Sequence, residues 1–221
     1  MIQFARRWLR RRPRTLASLD AYALWAASYP PRAHNTLMEV EQAAMLDLMP
    51  PLDGCVVIDL ACGTGRYGLL AQSRGARQVI GLDNSPAMLA ANPLSGRALA
   101  TSEAIPLRGG SADALICALA LGHLPNLLPS LGEIARVLQS GGAALISDVH
   151  PFIALRGDQR TFRAPDGRAY AVEHHTHLYA DYQRAAASAG LEIDALAEPT
   201  YDGVPIVIVF RLYRRALSST K

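Results

Sequence analysis

The stretch Val56-Val57-Ile58-Asp59-Leu60 running into Ala61-Cys62-Gly63-Thr64-Gly65-Arg66 limits the possible folds of this chain more than any other segment. Residues 55 to 60 are apolar and largely β-branched, which predicts a buried strand. Two glycines spaced one residue apart then open a helical stretch, Gly65 to Ser73. Glycine at such a junction permits a tight turn and lets a ligand approach the backbone N–H groups closely. Asp83 closes the next apolar run, 20 residues beyond Gly63. A carboxylate at that spacing can accept hydrogen bonds from both hydroxyls of a ribose. Both features fall at the carboxyl ends of neighbouring parallel strands, where open α/β sheets bind their ligands.

The rest of the chain continues this alternation. Leu16 to Tyr29 reads as a helical segment stopped by Pro30-Pro31, because proline cannot donate the next ladder bond. Asn35 to Met49 reads as a second helix, with Leu37, Val40, Ala44 and Leu48 at helical spacing. Strands are predicted at 78–82, 97–100, 112–117 and 143–147. Helices are predicted at 86–91, where Ser85 caps and Pro86 takes the first turn, and at 127–138. A further helix over 178–188 precedes two strands, 191–197 and 205–212, joined by a turn at Asp202-Gly203. These elements predict an α/β fold: a doubly wound, Rossmann-like, seven-stranded sheet, mostly parallel, with a C-terminal antiparallel strand pair. The expected organisation is a single domain over residues 20–221, with an N-terminal helical cap and a variable segment at 150–182. A basic N-terminal arm, residues 1–19, precedes it.

Charge separates that arm from the body. Residues 1–14 hold six arginines and no acid; the remaining chain has 16 basic side chains against 19 acidic ones. A nucleic-acid reader usually spreads positive charge over a folded face, so the body is not expected to take nucleic acid as its ligand. Ile2, Phe4, Ala5, Trp8 and Leu9 interleave with the arginines, so the arm suits peripheral contact with an anionic surface. No apolar run is long enough for a transmembrane segment. Three cysteines, Cys55, Cys62 and Cys117, give no disulfide framework and fit a reducing, cytoplasmic setting. Oligomeric state is left open.

With these residues in view, a resemblance becomes specific. Asp59 to Arg66 resembles the first motif of class I S-adenosylmethionine-dependent methyltransferases, and Gly81 to Leu89 the second. Ala100 to Leu107 is similar to the third, Asp113 to Cys117 to the fourth strand, and Leu131 to Ser147 to the helix and strand that follow. The nearest branch is the small-molecule one, which includes ubiquinone, menaquinone and malonyl-carrier-protein methyltransferases. The resemblance implies S-adenosyl-L-methionine as cofactor and a small organic acceptor, free or carried by a protein, methylated at oxygen, carbon or nitrogen. It places the methionine part of the cofactor on Asp59, Ala61, Gly63 and Gly65, the ribose on Asp83, and the adenine near Asn84, Met88, Ser102, Glu103 and Ala118. Tyr29, within an aromatic lead-in with Tyr22 and Trp25, would cover the cofactor. The family usually has an acid where this chain has Thr101. The loose pattern Gly63, Gly65, Gly68 also matches a dinucleotide fingerprint, so an NAD(P)-dependent oxidoreductase is the alternative enzyme. A cofactor-binding partner protein without turnover is the non-enzyme alternative.

Methyl transfer depends mainly on positioning, and some acceptors also need a base. His123 follows the fourth strand and is expected to face the crevice. Asp148 and His150 follow the fifth, and a carboxylate beside an imidazole can orient it. Among His174, His175 and His177, alternation puts His175 with His177 and turns His174 away, making His175 the substrate-pocket candidate. The spacing is not that of a zinc site, and no metal is expected. Arg156, Arg160, Arg163 and Arg168 punctuate the variable segment, where a solvated lid or contact with an acidic substrate is expected.

Overall fold

The computed structural model describes residues 13–215. Most of the basic arm, residues 1–12, lies outside the described residues. In chain order the strands are β1 (Arg14–Leu16), β2 (Val56–Leu60), β3 (Gln78–Asp83), β4 (Arg97–Leu99), β5 (Ala112–Ala118), β6 (Leu138–Val149), β7 (Thr161–Arg163), β8 (Ala169–Val172), β9 (Leu191–Ala197), β10 (Thr200–Tyr201), β11 (Val204–Pro205) and β12 (Val207–Arg214). The helices are α1 (Ser18–Trp25), α2 (Thr36–Leu48), α3 (Arg66–Ser73), α4 (Pro86–Ala91), α5 (Leu128–Val137), α6 (Pro151–Leu155) and α7 (Tyr179–Ser188).

Seven strands form the main sheet in the order β4-β3-β2-β5-β6-β12-β9. The four pairings from β4 to β6 are parallel; β12 runs antiparallel to both β6 and β9. The C-terminal strands therefore pair with each other as their turn requires, but only β12 opposes the sheet. It is inserted inside β9, which becomes the edge. The Asp202-Gly203 turn has both residues at positive φ, 50° and 73°, closing the small β10–β11 hairpin.

Strand alternation sorts the core onto two faces. Ile58, Leu115, Ile146 and Phe210 pack with Leu131, Ile134 and Tyr182 from α5 and α7. Val57, Ile116, Leu145 and Val209 pack with Met45, Tyr67 and Ala71 from α2 and α3. Covering both faces explains why these strands read as continuous apolar runs. Asp59 shares its face with Val57, so its carboxylate is directed at α3, where Oδ2 accepts the Gly68 N–H at 2.7 Å.

Two features depart from the sequence reading. β6 begins at Leu138 rather than after Gly141-Gly142, because the register against β5 slips between Ala112 and Ala114 and absorbs the glycines as a bulge. The variable segment also carries structure: β7 and β8 pair antiparallel, and β8 takes β1 as a parallel neighbour. Trp25 and Ala21 of α1 pack on Phe162, Ala164 and Val172, joining the helical cap and the variable segment into one cover.

Candidate active site

Strand order reverses between β2 and β5, and a cavity opens in the crevice at that switch point. Its floor is built from the ends of β2, β3 and β5. Two non-glycine residues there take the left-handed conformation, Ala61 after β2 and Leu119 after β5, each with φ of 53°. Both line the cavity, so the chain leaves both central strands through strained backbone at the point of ligand approach.

The strand-end side is a set of directed carboxylates and backbone donors. Asp83 accepts the Gly63 N–H through Oδ2 at 2.7 Å and the Ser85 N–H through Oδ1 at 2.8 Å. It is 8% exposed, and burial raises its pKa. Asp59 is 2% exposed, and burial pushes it up to about 7, against the pull of the Gly68 N–H and Arg66. A cationic ligand beside it would restore the ionised form. Gly63 has φ of 51°, and a Cβ there would meet nothing within 4 Å, so its backbone faces open space. Gly65, at φ of 94°, does not line the cavity; a Cβ there would lie 2.6 Å from Asn92 Oδ1, so this glycine lets the turn close on α4's C-cap. Thr64 is among the residues that line the crevice, and its Oγ1 is buried with no hydrogen-bond partner among the described residues. Ala61, Asn84, Met88, Ser102 and Ala118 complete this side. Ser102 Oγ is 2.8 Å from Ser130 Oγ, whereas Glu103 and Thr101 are exposed and outside the lining. An unpartnered buried hydroxyl, open space over Gly63 and two buried carboxylates fit the polar edges of a cationic nucleoside.

A buried charge cluster, not expected from the sequence, holds α2 to this turn. Glu41 of α2 is fully buried and accepts from Arg66 at 2.7 Å, Tyr67 at 2.9 Å and Ser147 at 2.7 Å. Four partly local residues thereby tie α2, α3 and β6 at the cavity wall.

The cap side is aromatic and basic. Tyr29 lines it and donates its hydroxyl toward Met38 Sδ at 3.8 Å. His123 faces the cavity between Tyr22, whose hydroxyl is 3.1 Å from Nε2, and the Glu173 carbonyl, 2.7 Å from Nδ1. A carbonyl only accepts, so Nδ1 carries the proton and Nε2 accepts from Tyr22. Burial, with the Arg160 charge second, pushes the His123 pKa down to about 4, so the imidazole is neutral near pH 7. Burial raises the Tyr22 hydroxyl well above its ordinary value.

The remaining histidine candidates are placed elsewhere. Asp148 does not pair with His150: it accepts from Tyr182 at 2.5 Å, lies 3.1 Å from His174 Nε2 and receives the Val149 N–H. The chain turns into α6 at Pro151, which swings His150 out to cap that helix through the Phe152 N–H and to meet Glu198 at 3.0 Å. His175 lines a second cavity under the variable segment, with its ring 3.9 Å from Glu173. Alternation does separate His174 from its neighbours, yet the inward partner is His174, whose ring centroid lies 6.0 Å from that of His123. Gly122 permits this: a Cβ there would collide with His174 and Asp148. Of the four arginines expected in a solvated lid or against an acidic substrate, Arg160 lines the crevice. No group of three or more His, Cys, Asp or Glu side chains among the described residues is placed to hold a metal ion. Burial pushes the Cys62 and Cys117 thiols up, as for packing residues.

Comparison with known proteins converges on the same sheet. A family described as a methyltransferase domain matches residues 58–146, the span from β2 to β6. An uncharacterised methyltransferase of Mycobacterium tuberculosis is 34% identical over 130 residues, 57% of this chain and 48% of that protein. The demethylmenaquinone methyltransferase of Lactococcus lactis is 35% identical over 126 residues, 52% of this chain and 50% of that protein. The chain thus spans about half the length of these curated relatives. Among solved structures, an S-adenosylmethionine-dependent methyltransferase of Mesorhizobium loti superposes with a TM-score of 0.68 at 21% identity, covering 79% of this chain and 98% of that one. The [4+2]-cyclase SpnF superposes with a TM-score of 0.64 at 16% identity, covering 92% and 98%. The fold is that of the class I S-adenosylmethionine-dependent methyltransferases.

Proposed function

We propose that this chain is an S-adenosyl-L-methionine-dependent methyltransferase acting on a small organic acceptor. The observation that carries the reading is one cavity with two chemically distinct sides: buried Asp59 and Asp83 around the Gly63 turn, and Tyr22, His123 and Arg160 under the cap. Fold likeness alone would not suffice, since the same fold superposes on a cyclase.

The cofactor supplies an electrophilic methyl group on a sulfonium. This chain's residues bind and orient. Asp83 has both oxygens fixed by backbone donors, leaving lone pairs for two ribose hydroxyls. Asp59 and the Gly63–Thr64 turn suit the ammonium and carboxylate of the methionine part. Met88 and Ser102 border the adenine end. The cap, packed through Trp25 on Phe162, excludes water from the acceptor. His123, with its Nε2 lone pair directed at Tyr22, contacts the acceptor. The match to quinone-methylating relatives supports the small-molecule branch, with methylation at oxygen, carbon or nitrogen. The loose dinucleotide fingerprint has another explanation: Gly68 is a packing glycine, its N–H taken by Asp59 and its Cβ position filled by Leu94. Two buried acids would also repel a pyrophosphate.

Titration with S-adenosylhomocysteine and with NADH tests the reading. Saturable binding of the former alone supports it. Binding of NADH alone, or of neither, overturns it. Methyl transfer from labelled S-adenosyl-L-methionine to a small-molecule extract then separates an enzyme from a cofactor-binding partner protein.

A further inference from the structure

The two arginines in the crevice wall have opposite electrostatic situations. Arg66 is neutralised by Glu41 at 2.7 Å. Arg160, contributed by the variable segment, has no carboxylate within ion-pair distance among the described residues. Its guanidinium donates once, to the Leu119 carbonyl at 3.2 Å, and lies 5.7 Å from the ring centroids of both Tyr22 and Trp25. The carbonyl and the two rings fix its position without cancelling its charge. A guanidinium offers five donors in a planar fork, and this arrangement leaves most of them unassigned.

The surroundings sharpen the point. Tyr22 and His123, which line the cavity with Arg160, are neutral, and Asp148 and Glu41 act on its charge through space without an ion pair to either. A half-buried cation with no carboxylate in contact is best completed by an anion. The same cavity carries its acids at the strand ends and its unpaired cation under the cap. We infer that the acceptor enters as an anion, and that Arg160 binds its carboxylate or phenolate oxygen beside Tyr22 and His123.

This inference rests on the methyltransferase reading and names its substrate class. It also accounts for the weak basicity of His123. An imidazole pushed down to about 4 is poorly suited to removing a proton from a weakly acidic acceptor, whereas an acceptor that arrives ionised needs no such step. His123 and Tyr22 then position the acceptor rather than take its proton.

The test uses the full chain saturated with S-adenosylhomocysteine and two matched probe pairs, benzoate against benzamide and 4-nitrophenolate against 4-nitroanisole. The expected result is saturable binding of at least one anion, at least about tenfold tighter than its neutral partner. Which anion binds tells the carboxylate from the phenolate source. Arg160→Gln should erase the difference, and Arg160→Lys should keep part of it, with S-adenosylhomocysteine affinity unchanged in both. Equal binding of acid and neutral partner, no binding of either anion, or undiminished discrimination in Arg160→Gln would overturn the inference. Should Arg160→Gln fail to fold, the comparison of matched probes on the parent protein still decides. Failure of S-adenosylhomocysteine to bind the parent protein would instead remove the methyltransferase reading.

Discussion

The two sides of the crevice are built by different means. The strand-end side draws mainly on two short stretches, residues 59–67 and 83–88, and its ligand groups are backbone N–H donors and the carboxylates they orient. The cap side assembles Tyr22, His123, Arg160 and the Glu173 carbonyl, residues separated by up to 151 positions and held by side-chain contacts. One side is local and rigid in the turn itself; the other exists only once the cap and the variable segment have packed together. A common cofactor can be served by the first, while the second is free to differ with the acceptor.

The contrast predicts that substitutions on the strand-end side act on cofactor binding and those on the cap side on the acceptor. The largest effect is expected for Asp83→Ala. It removes the ribose acceptor and orphans the Gly63 and Ser85 N–H groups, so S-adenosylhomocysteine affinity should fall by about 100-fold, or about 3 kcal/mol, in calorimetry. Unchanged affinity would break the assignment of this side. Gly65→Ala should come next. A Cβ at φ of 94°, set against Asn92, should destabilise the fold by about 2 kcal/mol, read as a lower urea midpoint at constant slope.

His123→Ala should divide the two sides most clearly. Turnover of an acceptor found by labelled-methyl screening should fall about tenfold, or about 1.4 kcal/mol, while S-adenosylhomocysteine affinity holds. Parallel losses in both would mean that the sides are not separable. The smallest effect is expected for Ala61→Gly. Relief of left-handed strain, about 1 kcal/mol, opposes a similar rise in unfolded-chain freedom, so thermal midpoints should nearly coincide.

The same contrast explains what could be read from the chain. The Gly63 turn, Asp83 at its spacing and the Ser85-Pro86 helix start are local signals, and each is formed as its residues indicate; Ser85 Oγ accepts the Met88 N–H at 3.3 Å. Arg160 could not be singled out among the four arginines of its segment because its place depends on β8 pairing with β1 across the sequence, Tyr170 opposite Arg14. Asp148 and His150 looked like partners two residues apart on an extended chain. Pro151 starts a helix that takes His150 as its cap, and Asp148 instead finds His174 and Tyr182. The Glu41–Arg66 pair lacked a helical i, i+4 signature because its members come from different helices. Thr64, inside the most legible motif, gave a signal only once its hydroxyl was seen to be buried without a partner.

The central claim is that a cationic nucleoside sits against Asp59 and Asp83, and the protonation of Asp59 offers the most direct measurement. In the free protein burial holds this carboxyl up to about 7, so near pH 7 it is partly protonated. An ammonium placed beside it favours the ionised form, so binding must release a proton. Calorimetric titration with S-adenosylhomocysteine at pH 7, in two buffers of different ionisation enthalpy, should show one-site binding with net proton release that vanishes in Asp59→Asn. No saturable binding, or binding whose proton balance is the same in Asp59→Asn as in the parent chain, would contradict the account.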